Sequence, residues 1–221
     1  MDIVLFGKPG AGKGTQAPRI AAALGVPTVA TGDVLRGAVR AGTPMGLAAK
    51  VYMDRGDLVP DDVILGIMKE TLGKGDFARG SLLDGVVRTT PQAEGMTRVL
   101  GELGRKVDAV LVFDVADEAL VQRLSGRTVC EQCQTPYTGR EPGTTCENCG
   151  GTLMRRKDDE PDAVRNRLAV YHRQTAPVLA WYEQHGTRIA TVDAVGSIDD
   201  VTRRALDALS AAGVRGIEKG R

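Results

Sequence analysis

The sequence predicts an α/β protein, with a five-stranded, mainly parallel sheet, helices on both faces and one small inserted module. Three observations predict it. Short apolar runs alternate with helix-length segments along the chain, the pattern of β/α units joined by right-handed crossovers. The first run, Ile3-Val4-Leu5-Phe6, ends in a glycine-rich turn that opens a helical segment. Four cysteines in two Cys-x-x-Cys pairs interrupt the alternation once.

Ile3 to Phe6 is short, continuous and apolar, which suits a buried parallel strand. A helix follows from about Lys13 to Leu24. Pro27 to Ala30 reads as the second strand, and helical segments fill about 32–41, 44–55 and 60–73. Ser81-Leu82-Leu83-Asp84 is a third strand that ends on a carboxylate. A helix at about 90–103 leads into Ala109 to Asp114, the fourth strand, and another helix runs to about Ser125. The cysteine module occupies about 126–159. Pro161 sits near the start of a helix that runs toward His185, and Pro177 is expected to kink or break it. Arg188 to Val192 is the fifth strand, and a last helix covers about 198–212. The tail from Gly213 to Arg221 has no pattern and is expected to fray. Trp181 and Tyr182 are expected in the core, and His172 and His185 as ordinary helix-surface or packing residues.

A chain of 221 residues suits one ordinary domain with an insertion, and at this length roughly 70% of the unfolded surface is buried on folding. Lys and Arg number 29 against 28 Asp and Glu, a net charge of +1, which excludes a strongly basic nucleic-acid coat and an acidic disordered chain. Aromatic residues are only 4%, so the core must be aliphatic. No apolar run approaches the ~18 residues of a membrane span. Met1-Asp2-Ile3 carries neither a basic region nor a cleavage site, so the expected location is the cytoplasm.

Cys130, Cys133, Cys146 and Cys149 are spaced Cys-x-x-Cys, twelve residues, Cys-x-x-Cys. Each pair can present two thiolates from one tight turn, and four thiolates satisfy tetrahedral Zn²⁺. Such a site has no position left for water, so its role would be structural. Two alternatives are a pair of disulfides, which an unexported chain disfavours, and a redox Cys-x-x-Cys, which would not need duplication.

After the first strand comes Gly7-Lys8-Pro9-Gly10-Ala11-Gly12-Lys13-Gly14-Thr15, which fits the phosphate-loop pattern G-x-x-x-x-G-K. Glycines let several N–H groups face one anion, and the following helix adds its positive end. Lys13 would reach the β and γ phosphates. Thr15 stands one place later than the pattern expects, so a carboxylate at a strand end must do more to hold Mg²⁺. The fold class becomes P-loop NTPase-like.

Gly7 to Ala17 resembles the phosphate loop of nucleoside monophosphate kinases. Thr31-Gly32-Asp33-Val34-Leu35-Arg36 looks like that family's TGDxLR, and Leu83-Asp84-Gly85-Val86-Val87-Arg88-Thr89 like its LDGFPRT. Arg156-Lys157-Asp158-Asp159, with Val164-Arg165-Asn166-Arg167-Leu168 and Tyr171, looks like the stretch after its lid. With the four cysteines, the chain is similar to the long-lid, zinc-type bacterial adenylate kinases over about residues 1 to 210. The resemblance implies that MgATP and AMP give two ADP. It also implies a core of 1–29, 60–125 and 160–221, a helical NMP-binding segment at 30–59, and a zinc-ribbon-like β lid at 126–159. It further implies a monomer that meets nucleotides, with no nucleic acid or membrane partner.

Matched motif by motif, the resemblance implies that Gly10, Ala11, Gly12, Lys13, Gly14 and Thr15 cradle the ATP phosphates. Arg123 would lie over the ATP adenine, with Gly196, Pro136 and Tyr137 as further ATP contacts. Arg36 and Arg88 would grip the AMP phosphate, because a guanidinium fork matches phosphate oxygens. Thr31, Gly85 and Gln92 would read the AMP base and its surroundings, with Asp57, Leu58, Val59, Val86 and Val87 beside them. Arg127, Arg156 and Arg167 would converge on the phosphates as the lid closes, oriented by Asp158 and Asp159. Asp84 first, and Asp33 second, would organise Mg²⁺ through water. Lys13, Arg88, Arg123, Arg127, Arg156, Arg167 and Asp84 form the catalytic set.

Val86-Val87 stands where the family has Phe-Pro. Proline would stiffen the turn that presents Arg88, so Arg88 is expected to be held less rigidly and AMP more weakly. The loop around Pro136 and Tyr137 is shorter than the family's. Two other readings share these motifs: a kinase for another nucleotide pair, and a zinc-ribbon nucleic-acid binder that uses the nucleotide site as a switch. Glu131, Glu141 and Glu147 in the insertion, and the lack of interleaved aromatic and basic residues there, weigh against the second.

Overall fold

The computed structural model describes residues 1–216, with the side chains of Met45 and Gln122 left aside. β1 (Asp2–Gly7), β2 (Thr28–Ala30), β3 (Ser81–Asp84), β4 (Val107–Asp114) and β8 (Arg188–Asp193) form one sheet in the order β2-β3-β1-β4-β8. Every pairing in it is parallel, and Leu5 of β1 lies opposite Asp84 of β3 on one side and Leu111 of β4 on the other. The chain turns to one side of β1 for β2 and β3 and to the other for β4 and β8. That reversal opens a crevice at the carboxyl ends of the central strands, where ligands of such sheets bind.

The period of two along a strand divides the core. Ile3 and Leu5 of β1 pack on one face, with α1 (Lys13–Leu24), α6 (Asp117–Ser125) and α9 (Ile198–Ala211). Val4 and Phe6 pack on the other, with α4 (Asp61–Leu72), α5 (Thr90–Glu102) and α8 (Ala176–Gln184). α2 (Thr31–Arg40) and α3 (Pro44–Arg55) form a helical pair at the end of the sheet. Their junction is capped: Thr43 Oγ1 accepts the Gly46 N–H at 3.1 Å, with Pro44 in the first turn.

The inserted module is a three-stranded antiparallel sheet, β6 (Pro136–Thr138), β5 (Arg127–Cys130) and β7 (Leu153–Met154), with β5 in the middle. The chain returns through α7 (Pro161–Val170) and a π-helical turn at Tyr171–Thr175 into α8. The irregularity expected at Pro177 thus falls one turn earlier, where wider hydrogen bonding absorbs the break ahead of the proline.

Two expectations need correction. Gly213 and Val214 do not fray: Gly213 takes φ 80° after α9, and the Val214 N–H closes back on Leu209 O at 3.0 Å. This is a Schellman-type stop, and it buries Val214 in the core. The rest of the tail, 217–221, lies outside the described residues. Of the two expected core aromatics, Tyr182 is buried, whereas Trp181 is only part-buried and stacks on the exposed His185. His172 is exposed and 3.0 Å from Asp117.

Candidate active site

The phosphate loop joins β1 to α1, and two of its glycines are required by the backbone. Gly10 and Gly12 have φ of 81° and 96°, which L side chains rarely adopt. A Cβ on Gly10 would also lie 2.9 Å from Leu124 Cγ, whereas one on Gly12 would face open space. The first N–H groups of a helix have no carbonyl of their own helix to bond, and those of α1 follow directly on Gly12. Lys13 reaches back across the loop, donating to Gly7 O at 2.7 Å and Lys8 O at 3.1 Å.

Two cavities meet beside the loop. The first, of about 600 Å³, is walled by α2, the loop after α3, and the loop after β3 into α5: Thr31, Arg36, Asp57, Leu58, Val59, Gly85, Arg88 and Gln92. The second, of about 530 Å³, is lined by Lys13, Val87, Tyr171 and Thr175 among others. Gly85, Arg88 and Arg167 belong to both walls. Asp84 precedes Gly85 at the end of β3, with Lys13 and Arg88 as its nearest opposing charges, and its Oδ2 is 3.7 Å from where a Cβ on Gly14 would be.

Four of the arginines are tethered by neighbouring oxygens. Arg88 donates from Nε to Gly85 O at 3.0 Å, and its backbone N–H donates to Gln92 Oε1 at 2.7 Å. Arg127 Nε donates to Asp159 Oδ2 at 2.8 Å. Arg167 donates to Asp158 O at 2.8 Å and pairs with the carboxylates of Asp158 and Asp159 at 3.1 and 3.2 Å. Arg36 pairs with Asp33, which also lies 3.9 Å from Arg156. Arg156 Nε and Thr31 Oγ1 are buried with no hydrogen-bond partner among the described residues.

The crowding of cations shows in their titration. Burial draws the Lys13 ammonium down to about 8; Asp84 opposes this, and Arg88, Arg167 and Arg127 add to it. Burial likewise lowers Arg88 and Arg167 and takes Arg156 to about 10, with neighbouring arginines contributing. Burial raises the Asp84 carboxyl above its usual range against the pull of Lys13 and Arg88. At Asp158 burial acts upward but is outweighed by Arg167, Arg156 and Arg127, so the carboxyl stays low. Six cations share this space with the carboxylates of Asp33, Asp84, Asp158 and Asp159. A polyanion relieves such crowding; a neutral ligand does not.

Some expected residues lie elsewhere. Val86 is buried in the core, away from both cavity walls. Tyr137 turns into the module, its hydroxyl 3.2 Å from Cys146 Sγ. Arg123 and Gly196 line neither cavity; Arg123 donates to Ala194 O at 3.1 Å, and a Cβ on Gly196 would meet Arg204. Beside the Val86-Val87 turn, Arg88 keeps two tethers, to Gln92 and to Gly85 O.

The four cysteine Sγ atoms lie within 4.8 Å of one another, and none is in a disulfide. Cys130–Cys149 and Cys133–Cys146 are 3.4 and 3.6 Å apart, close to the ~3.8 Å edge of a tetrahedron with 2.3 Å metal–sulfur bonds. The donor set therefore fits a tetrahedral thiophilic ion.

Sequence reasoning missed Gln134. It is the one non-glycine residue with positive φ among the described residues, at 60°. Its amide donates to Cys130 O and Glu131 O, both at 3.0 Å, and its Oε1 accepts from Arg36 Nε at 3.2 Å. It ties the module to α2. No sequence signal marks a lone glutamine for such a task.

Fold and site together define a phosphate-loop nucleotide-binding protein with an inserted cysteine-clamped module. The adenylate kinase family model matches residues 5–187. The chain is 61% identical to an adenylate kinase of Gemmatimonas aurantiaca, over 95% of this chain and 99% of that one. It is 46% identical to one from Methanosarcina mazei (91% and 94% covered) and 48% identical to one from a Geobacillus species (84% and 88% covered). The chain belongs to the adenylate kinase family.

Proposed function

We propose that this chain transfers the γ-phosphoryl group of ATP to AMP, reversibly, giving two ADP. An AMP phosphate oxygen attacks the γ-phosphorus. The bond from that phosphorus to the β–γ bridging oxygen breaks, and the electron pair leaves on the departing ADP. The nucleophile is already ionised at neutral pH, since a monophosphate's second pKa is about 6, so no general base is needed. Catalysis is positioning and charge neutralisation. The observation that carries this reading is the junction of the two cavities, where Arg88 and Arg167 wall both and Lys13 enters from the phosphate loop.

In this reading the loop from Gly10 to Thr15 and Lys13 hold the donor phosphates. Arg36 and Arg88 hold the acceptor phosphate, in the cleft that also contains the unpartnered Thr31 hydroxyl. Arg127, Arg156 and Arg167 neutralise the migrating group, with Asp158 and Asp159 orienting two of them. Arg123 and Gly196 form the rim for the donor base. Magnesium, which adenylate kinases use with ATP, supplies positive charge at the phosphates; Asp84, and then Asp33, would hold its waters. Zn²⁺ would be the ion of the four thiolates, as a structural clamp.

The working division is a core of 1–29, 60–125 and 160–221, an AMP segment of 30–59 and a lid of 126–159. The protein would act as a monomer in the cytoplasm; no helix among the described residues is long and apolar enough to cross a membrane. The test is ADP formation from ATP with AMP, CMP, UMP or GMP in turn. Turnover with AMP at least tenfold above the others is expected, and no ADP from AMP would overturn the proposal.

A further inference from the structure

At the start of α4, Asp61 is part-buried and faces the N-terminus of α5. Thr89 Oγ1 donates to its carboxylate at 3.1 Å, and Gln92 Nε2 donates to its Oδ1 at 2.8 Å. Thr89 is also the cap of α5, accepting the Gln92 N–H at 3.2 Å. The other end of the Gln92 amide, Oε1, accepts the Arg88 N–H at 2.7 Å. Gln92 is almost fully buried, yet it lines the cleft that holds Arg36 and Arg88.

These contacts fix which way round the amide sits. An ionised carboxylate only accepts, so Nε2 must face Asp61. A backbone N–H only donates, so Oε1 must face Arg88. Turning the amide over would set acceptor against acceptor at one end and donor against donor at the other. Each end keeps one unspent position, an N–H on Nε2 and a lone pair on Oε1. That pair complements a base edge with an amino donor beside a ring-nitrogen acceptor, as adenine has. A 6-oxo purine offers an acceptor beside an N–H donor, and meets the wrong partner at both points. Sites with committed polar groups reject mismatched partners far more strongly than apolar pockets do.

We propose that Asp61 is the positioning residue for base selection: by locking the Gln92 amide it makes the acceptor site take 6-amino purine monophosphates and refuse 6-oxo ones. This rests on the acceptor-site reading above. Of the two locks, the Arg88 N–H is main chain, so Asp61 is the one that substitution can remove. With it gone, turning the amide over costs one bad contact rather than two.

The test compares AMP with IMP, which differ at that edge alone, in the wild type, Asp61→Ala and Asp61→Asn. The ratio of kcat/KM for AMP to that for IMP is expected to fall about tenfold in Asp61→Ala, since a hydrogen bond to a charged group is lost. It is expected to fall by a smaller factor in Asp61→Asn, which offers both donor and acceptor. KM for ATP is expected to stay within twofold. A ratio that falls less than threefold in both variants overturns the proposal, as does a parallel loss of AMP and IMP turnover, which is what a merely structural residue would give. If Asp61→Ala does not fold, Asp61→Asn decides by the same threshold. Wild-type enzyme that makes no ADP from AMP would instead sink the activity, and the ratio of AMP to IMP dissociation constants would then test the lock by itself.

Discussion

Around the sheet, β1 sends Ile3 and Leu5 to one face and Val4 and Phe6 to the other, and each face is closed by aliphatic side chains from three helices. In the inserted module the buried cluster is Cys130, Cys146 and Leu153, with Tyr137 packed against it. The first region holds itself together by area removed from water, spread over many contacts. The second is too small for that, so its stability is concentrated in four sulfur atoms and the ion they fit. The phosphate cleft lies between them and draws its arginines from both: Arg88 from the rigid side, Arg127 from the module. A distributed core tolerates a single loss, whereas a concentrated one does not.

The largest expected effect touches the cleft alone. Lys13→Met should lower kcat by about 10³-fold or more, because a preorganised charge at the migrating group is lost. The melting temperature should stay level or rise slightly, since a desolvated cation has been removed. A coupled ADP assay with calorimetry checks both, and near-normal turnover would remove Lys13 from the mechanism.

The next effect separates the two regions. Stripping metal, or Cys130→Ser, should lower the melting temperature by roughly 5–10 °C, at about 2–4 °C per kcal/mol for a chain this size. Helical circular dichroism of the core should persist. Unchanged melting after metal loss is demonstrated would show that the module stands without its clamp, and the contrast between the regions would fail.

A pH effect sharpens the electrostatic side. Free Lys13 titrates near 8, and bound phosphates favour its charged form, so its pKa rises on binding. Affinity for a polyphosphate that is already fully ionised in this range, such as ATP, should therefore be greatest below pH 8. It should weaken up to tenfold per unit above that, with a proton taken up on binding at pH 9. Titration calorimetry in two buffers of different ionisation enthalpy measures that proton, and no uptake at pH 9 would refute the assignment. The smallest effect concerns the turn before Arg88. Val86→Phe with Val87→Pro should change KM for AMP less than about threefold, because two hydrogen bonds already hold Arg88. It should cost about 1–3 kcal/mol by overpacking fully buried sites.

Much of this was legible without coordinates. The strands around β1, β3 and β4 could be read because continuous apolar runs between helical segments have one stable arrangement. The phosphate loop and the cysteine pairs were legible because local spacing alone dictates their geometry. Val214 was not: a lone valine after a helix stop carries no periodic signal, and only α9 docking on the sheet buries it. Tyr137 was expected to face nucleotide, but in so small a module its ring is needed for the core. The tethers of Arg88 were not legible, because they come from the Gln92 side chain and Gly85 O rather than from Val86 and Val87.

By itself, then, the sequence determined the class of sheet, the phosphate loop, the thiolate set and the family, since each rests on spacings of a few residues. Only the tertiary structure decided that Asp61 meets Gln92 across thirty-one positions, and that Gln134 of the inserted module reaches Arg36 across ninety-eight. Such pairs are made by how packed elements abut, and a hydrogen bond between distant residues leaves no periodic trace in the chain.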